Sequence, residues 1–167
     1  TQYGHRAAIV LFTGSAQTGK TFLARRVEAL LVADSRHAYL LEGENLLQGL
    51  DADLSAADPS FAAERVRRYG EVARLLIDTG LIVVSTSKTF GINYQRMAEM
   101  IRTLVQPAPV IAVHMSRAGE EPPPNTDLHF AGPQDFDAAA RQILEELKRR
   151  GVLIQPSGTK STIQYSI

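Results

Sequence analysis

Ala7-Ala-Ile-Val-Leu-Phe-Thr-Gly14-Ser-Ala-Gln-Thr-Gly19-Lys20-Thr21 is the stretch that decides the fold of this 167-residue chain. Ala7 to Phe12 is a continuous apolar run without alternation, the pattern of a strand buried on both faces. Gly14 to Thr21 then reads G-x-x-x-x-G-K-[ST], and apolar residues at helical spacing follow in Phe22, Leu23, Val27, Leu30 and Leu31. Glycines at both ends let the backbone curl until successive N–H groups face one point, and the helix N-terminus adds partial positive charge. That geometry suits a chain of phosphates. Gly14, Ser15, Ala16, Gln17, Thr18 and Gly19 supply the cradle, Lys20 reaches the β- and γ-phosphates, and the Thr21 hydroxyl ligates Mg²⁺. An accidental glycine-rich turn lacks a strand before it and a helix after it. The reading is a P-loop that binds the phosphates of a nucleoside triphosphate, with Mg²⁺ accompanying ATP.

Outward from this motif, strands and helices alternate. His37–Leu41 reads as a second buried strand, a helix runs from about Ser60 to Thr79, and Gly80 stops it. On that helix Val66, Tyr69, Val72, Ala73 and Leu76 face inward, and Arg67, Arg68, Glu71 and Arg74 outward. Leu81–Val84 is a third strand, Ile92–Val105 a helix closed by Gln106-Pro107, and Val110–Val113 a fourth strand. Residues 116–126, with Gly119 and Pro122-Pro-Pro124, read as loop; Leu128–Phe130 is a short last strand, and a helix follows to about Arg150. The pattern predicts an α/β P-loop NTPase of nucleotide-kinase type, a three-layer sandwich with a parallel sheet covered by helices on both faces. Residues 1–154 form this domain, and 155–167 form a polar C-terminal tail.

In an open parallel sheet ligands gather at the carboxyl ends of the strands, and the second strand ends in Glu42-Gly43-Glu44. The two acids flank a glycine at that edge. Glu42 is expected to hold Mg²⁺ through water, and Glu44 to accept a proton from a substrate hydroxyl. The third strand, by contrast, runs into Ser85-Thr-Ser-Lys88 with no acid for the metal. His5, His37, His114 and His129 are scattered without metal-ligand spacing and read as structural.

Composition narrows the alternatives. Lysine plus arginine and aspartate plus glutamate both count 18, so there is no long-range positive field for nucleic acid; Arg65, Arg67 and Arg68 make one local basic cluster. Cysteine is absent, which excludes disulfides and thiolate metal sites. No apolar run reaches the length of a membrane span, so a cytoplasmic location is expected, without membrane partners. The chain opens on Thr1 rather than methionine, the expected appearance of a domain cut from a longer chain.

With these stretches in hand, the chain resembles adenylylsulfate (APS) kinases as far as about Leu153. Tyr3-Gly-His-Arg6 is similar to that family's lead-in to the P-loop strand. Glu42-Gly-Glu-Asn45, Gly49-Leu50 and Asp53-Leu54 resemble its Asp-Gly-Asp-Asn…Gly-Leu…Asp-Leu stretch. Glu64-Arg-Val-Arg-Arg68 with Gly70-Glu-Val-Ala73, Asp78-Thr-Gly-Leu-Ile-Val-Val84 and Pro122-Pro-Pro-Asn-Thr-Asp-Leu128 continue the likeness. The resemblance implies transfer of the γ-phosphoryl of Mg-ATP to the 3′-hydroxyl of APS, giving PAPS in sulfate assimilation. It places Lys20 and Thr21 at the triphosphate, Glu44 near the reacting hydroxyl, and Asn45 beside it on the substrate. A homodimer, and attachment to other domains of a sulfate-activating enzyme, are further expectations.

The chain also departs from the pattern. Both acids of the turn are glutamate, Leu47 stands where an arginine is expected, and Phe61-Ala62-Ala63-Glu64-Arg65 replaces Asp-Arg-x-Glu-Asn. Lys88-Thr-Phe-Gly-Ile92 replaces Ile-Ser-Pro-Tyr-Arg, and the long lid with Phe-Thr-Gly-Ile-Asp is reduced to Ser116–Thr126, in which Arg117-Ala-Gly-Glu120 is a remnant. Two readings follow. One is a phosphotransferase of the APS kinase type, with Arg65, Lys88 or Arg117 restoring charge on the substrate side. The other is a nucleotide-binding pseudo-kinase that regulates or scaffolds a larger sulfate-activating protein.

Overall fold

The computed structural model describes residues 4–55, 58–86 and 93–154. Five strands, β1 (Ala8–Gly14), β2 (Ala38–Glu42), β3 (Ile82–Thr86), β4 (Val110–Ser116) and β5 (Leu128–Ala131), form one parallel sheet in the order β2-β3-β1-β4-β5. The helices are α1 (Lys20–Ala33), α2 (Ala62–Asp78), α3 (Tyr94–Val105) and α4 (Phe136–Arg149). Short 3-10 turns at Gly43–Leu46 and Pro59–Phe61 lead from β2 into α2.

Alternation along β1 shows why the sheet needs helices on both sides. Ala8, Val10 and Phe12 join one apolar cluster with α1 and α4; Ile9 and Leu11 join the other with α2 and α3. A strand with two buried faces therefore reads as an unbroken apolar run. The expected three-layer sandwich is what the structure shows. Gly80 ends the α2 connection at a φ of 89°, a conformation that favours glycine. The chain closes beneath the start of β1, where His5 bridges Leu153 and the Arg36 guanidinium binds the carbonyls of both Gly4 and Ile154.

Two strands run further than expected. β3 continues through Ser85 and Thr86, and β4 through His114, Met115 and Ser116. Of these, the polar Ser85, Thr86, His114 and Ser116 are buried inside the sheet, and several find partners there: Ser85 Oγ donates to Val10 O at 3.2 Å, and Thr13 Oγ1 pairs with His114 Nδ1 at 2.8 Å. The basic cluster is also different from a free patch. Arg67 and Arg68 are paired with Glu64 and Asp53, and Arg65 is buried with Nη1 donating to Asp58 O at 3.3 Å. No helix of the described residues is long and apolar enough to cross a membrane. The 155–167 tail and Lys88–Ile92 lie outside the described residues.

Candidate functional site

β1 delivers its chain at Gly14 to the carboxyl edge of the sheet, beside Met115 of β4. A side chain is impossible here. Gly14 has a φ of 130°, and a Cβ on it would lie 1.7 Å from the Met115 carbonyl oxygen. The loop then curls through Gln17, at a φ of 60°, to Gly19 at 88°, which caps α1. Thr18 Oγ1 donates to Ser15 O at 2.8 Å and holds the curl closed. No side chain caps α1 and its first turn holds no acid, so its leading N–H groups and dipole are left to an anion. Lys20 Nζ donates to Gly14 O at 2.6 Å and to Ser15 O at 2.8 Å. Tyr94 Oη reaches the same Gly14 carbonyl at 2.7 Å.

At the loop lies a cavity of about 500 Å³ whose lining includes Lys20, Thr21, Glu44, Thr86 and Tyr94. A second cavity of about 540 Å³ adjoins it across Gln17, Thr18 and Gly19, and is walled by Arg117, Gly132, Pro133 and Phe136. The P-loop thus runs along a trough with one polar and one more apolar end. Behind the loop, the buried His114 ring meets Tyr94 edge-on with centroids 5.1 Å apart. Burial, with His129 and Lys20 nearby, lowers its pKa below the ordinary histidine value, so the neutral ring is favoured. Glu120 Oε2 accepts from Ser15 Oγ at 3.0 Å, which ties the short loop after β4 to the P-loop.

The expected site residues divide in this geometry. Gly14, Ala16, Gln17, Thr18, Gly19, Lys20, Thr21 and Glu44 share the cavity, and Ser15 supports it from behind. Glu42 ends β2 with its carboxylate on Arg25 Nη2 at 3.2 Å, and it does not line the cavity. Asn45 is exposed on the 3-10 turn beside Glu44. Arg65 is buried in the first turns of α2, 1% exposed, and is absent from the trough walls. Thr86 and Tyr94 carry no motif, whereas Glu120 closes the Arg117-Ala-Gly-Glu120 lid remnant. Thr86 is brought to the loop by its place at the end of β3, Tyr94 by the first turn of α3, and Glu120 by the loop after β4.

The side-chain groups of the cavity able to ligate a metal include the oxygens of Thr21, Thr86 and Glu44, and this chemistry suits Mg²⁺ rather than a softer ion. No group of three His, Cys, Asp or Glu among the described residues holds an ion without help. The residues therefore fit a metal that arrives with phosphate ligands of its own.

A parallel sheet with a phosphate loop leaving its central strand, and a trough at the strand carboxyl ends, defines a P-loop domain of the nucleotide-kinase kind. The chain belongs to the adenylylsulphate kinase family, whose sequence profile it matches over residues 6–122. The adenylyl-sulfate kinase of Erwinia tasmaniensis is 30% identical over 179 residues, covering 90% of this chain and 87% of that one. That of Geotalea uraniireducens is 36% identical over 112 residues, 67% of this chain; the match spans about half of that relative, 52%. A point mutant of the Mycobacterium tuberculosis APS kinase CysC shares the fold, with a TM-score of 0.74 at 28% identity, over 86% of this chain and 99% of that one. The same mycobacterial enzyme has been solved in complex with AMPPNP and APS, and in that form its likeness, at 24% identity, is one of fold.

Proposed function

We propose that this chain is an ATP-dependent phosphotransferase that moves the γ-phosphoryl of ATP to the 3′-hydroxyl of APS, giving ADP and PAPS. The observation that carries the reading is the trough itself: an anion-ready P-loop with Lys20, and a carboxylate, Glu44, facing it across one cavity. Family membership supplies the acceptor. In the free protein Lys20 rests on two backbone carbonyls, and triphosphate oxygens replace them as stronger, charge-assisted partners. The second cavity suits the nucleoside, since Arg117, Pro133 and Phe136 are among its lining residues.

In the transfer, the acceptor oxygen forms a bond to the γ-phosphorus while the bond from that phosphorus to the ADP oxygen breaks. The hydroxyl proton passes to the Glu44 carboxylate. Lys20 stabilises charge on the β- and γ-phosphoryl oxygens, and the α1 N-terminus stabilises the leaving diphosphate. The Thr21 hydroxyl and the Glu44 carboxylate are the oxygen groups of the cavity that would hold Mg²⁺, and the ion would supply neutralisation of phosphate charge. Glu42, engaged by Arg25, orients the turn that presents Glu44.

A second reading, the nucleotide-binding regulator, is favoured by the acceptor side. Leu47 and Ala62 stand at expected arginine positions, Arg65 is buried, and the segment after β4 is a short loop latched to Ser15 by Glu120. Isothermal titration with Mg-ATP, followed by addition of APS, separates the two. A phosphotransferase binds Mg-ATP, loses about tenfold or more of that affinity in Lys20→Ala, and releases ADP only when APS is present. A regulator binds Mg-ATP with the same Lys20 dependence and releases no APS-dependent ADP.

A further inference from the structure

β3 ends in a hydroxyl that the protein itself leaves unanswered. Thr86 is 3% exposed, and its Oγ1 has no hydrogen-bond partner. The backbone around it is held on every side. It lies in register with Phe12 of β1 and Glu42 of β2, and its carbonyl accepts Tyr69 Oη at 3.2 Å. Only the side-chain hydroxyl is uncommitted, and Thr86 lines the P-loop cavity together with Lys20 and Thr21. A buried hydroxyl without a partner is destabilising, and valine fills nearly the same space without that penalty. A polar group kept there at the expense of stability points to a bound ligand as its partner.

Position within the trough says which part of the ligand. Gln17, Thr18 and Gly19 border both cavities, so the nucleoside end of the ligand lies on their side. Glu44 and Thr86 line the first cavity and not the second, which puts them at the far, terminal-phosphate end. We infer that Thr86 Oγ1 is a binding group for the terminal phosphoryl of the triphosphate, donating a hydrogen bond to a γ-phosphate oxygen and helping to hold that phosphoryl in line with the acceptor. It occupies the strand end from which an acid would otherwise serve the metal, and it adds a donor without adding negative charge. This inference rests on the nucleotide-binding reading above.

The test compares wild type, Thr86→Val and Thr86→Ser for binding of Mg-AMPPNP and Mg-ADP by titration calorimetry, with thermal melts of each free protein. Thr86→Val is expected to bind Mg-AMPPNP about tenfold more weakly while its Mg-ADP affinity stays within about twofold of wild type. Its Tm should equal or exceed that of wild type, because an unsatisfied hydroxyl has been removed. Thr86→Ser, which keeps the hydroxyl, should restore most of the AMPPNP affinity. Equal AMPPNP binding by Thr86→Val and wild type overturns the inference. So does an equal loss for both nucleotides, or a lowered Tm in Thr86→Val, which would show the hydroxyl serving the fold. A wild-type protein that binds neither nucleotide overturns the nucleotide reading itself, before any variant is compared.

Discussion

Gly19→Ala tests whether the P-loop is held open by the absence of one methyl group. Two separate costs follow from the structure. The backbone at Gly19 sits at a φ of 88°, in a region that costs an L-residue about 1–2 kcal/mol. A Cβ there would also lie 2.6 Å from Phe136 Cζ, and displacing that ring costs about a further 1–3 kcal/mol. The sum is about 2–5 kcal/mol, a fall in Tm of about 4–20 °C for a domain of this size. The two parts separate in a double-mutant cycle with Phe136→Ala, in which the methyl meets no ring and only the backbone cost remains. Chemical denaturation of the four proteins should show a coupling of about 1–3 kcal/mol between the sites. If Gly19→Ala costs the same in both backgrounds, to within about 0.5 kcal/mol, the steric part of this reasoning is wrong.

Tyr69→Phe removes a hydroxyl that donates to Leu41 O at 3.0 Å and Thr86 O at 3.2 Å in the buried layer between α2 and the sheet. It should cost about 1–3 kcal/mol in urea melts and weaken Mg-ATP binding by loosening the ends of β2 and β3. Stability should also fall on mild acidification. Burial lowers the pKa values of His5 and His114, so the unfolded chain takes up protons near pH 6.5 that the folded chain refuses. Their contribution is complete above pH 6.5 and declines as pH drops toward the folded values. Urea midpoints should therefore be lower at pH 5.5 than at 7.5, with a smaller difference in His114→Gln. Glu64 and Glu146, held down to about 2 by neighbouring arginines, should add a second decline between about pH 4.5 and 2.

Most of the fold could be read from the sequence, because buried parallel strands are unbroken apolar runs and the helices carry clear stripes. Where the reading stopped short, polar residues were the reason. Ser85, Thr86, His114 and Ser116 look like loop residues in a sequence, yet they extend β3 and β4 because neighbouring strands and His–hydroxyl pairs satisfy several of them. The phosphate half of the site was legible, since a P-loop's chemistry is contiguous in sequence. The acceptor half was only partly so. Glu44 was legible as an acid at a strand's carboxyl end, but Thr86 and Tyr94 join it from the end of β3 and the start of α3, and no local spacing encodes that meeting. Arg65 shows the converse: a charge in an exposed-looking cluster that the helix turns inward, toward Asp51 and Asp58.

The most direct measurement is the fate of the γ-phosphoryl group. The protein is incubated with γ-labelled ATP, Mg²⁺ and APS, beside Lys20→Ala and Glu44→Gln, and the nucleotides are separated. The account predicts label in PAPS at a rate proportional to protein, lost in Lys20→Ala and reduced about a hundredfold or more in Glu44→Gln, the scale of general-base catalysis. Wild-type protein that binds Mg-ATP and APS together yet leaves all label in ATP would contradict it, and would leave the regulatory reading standing.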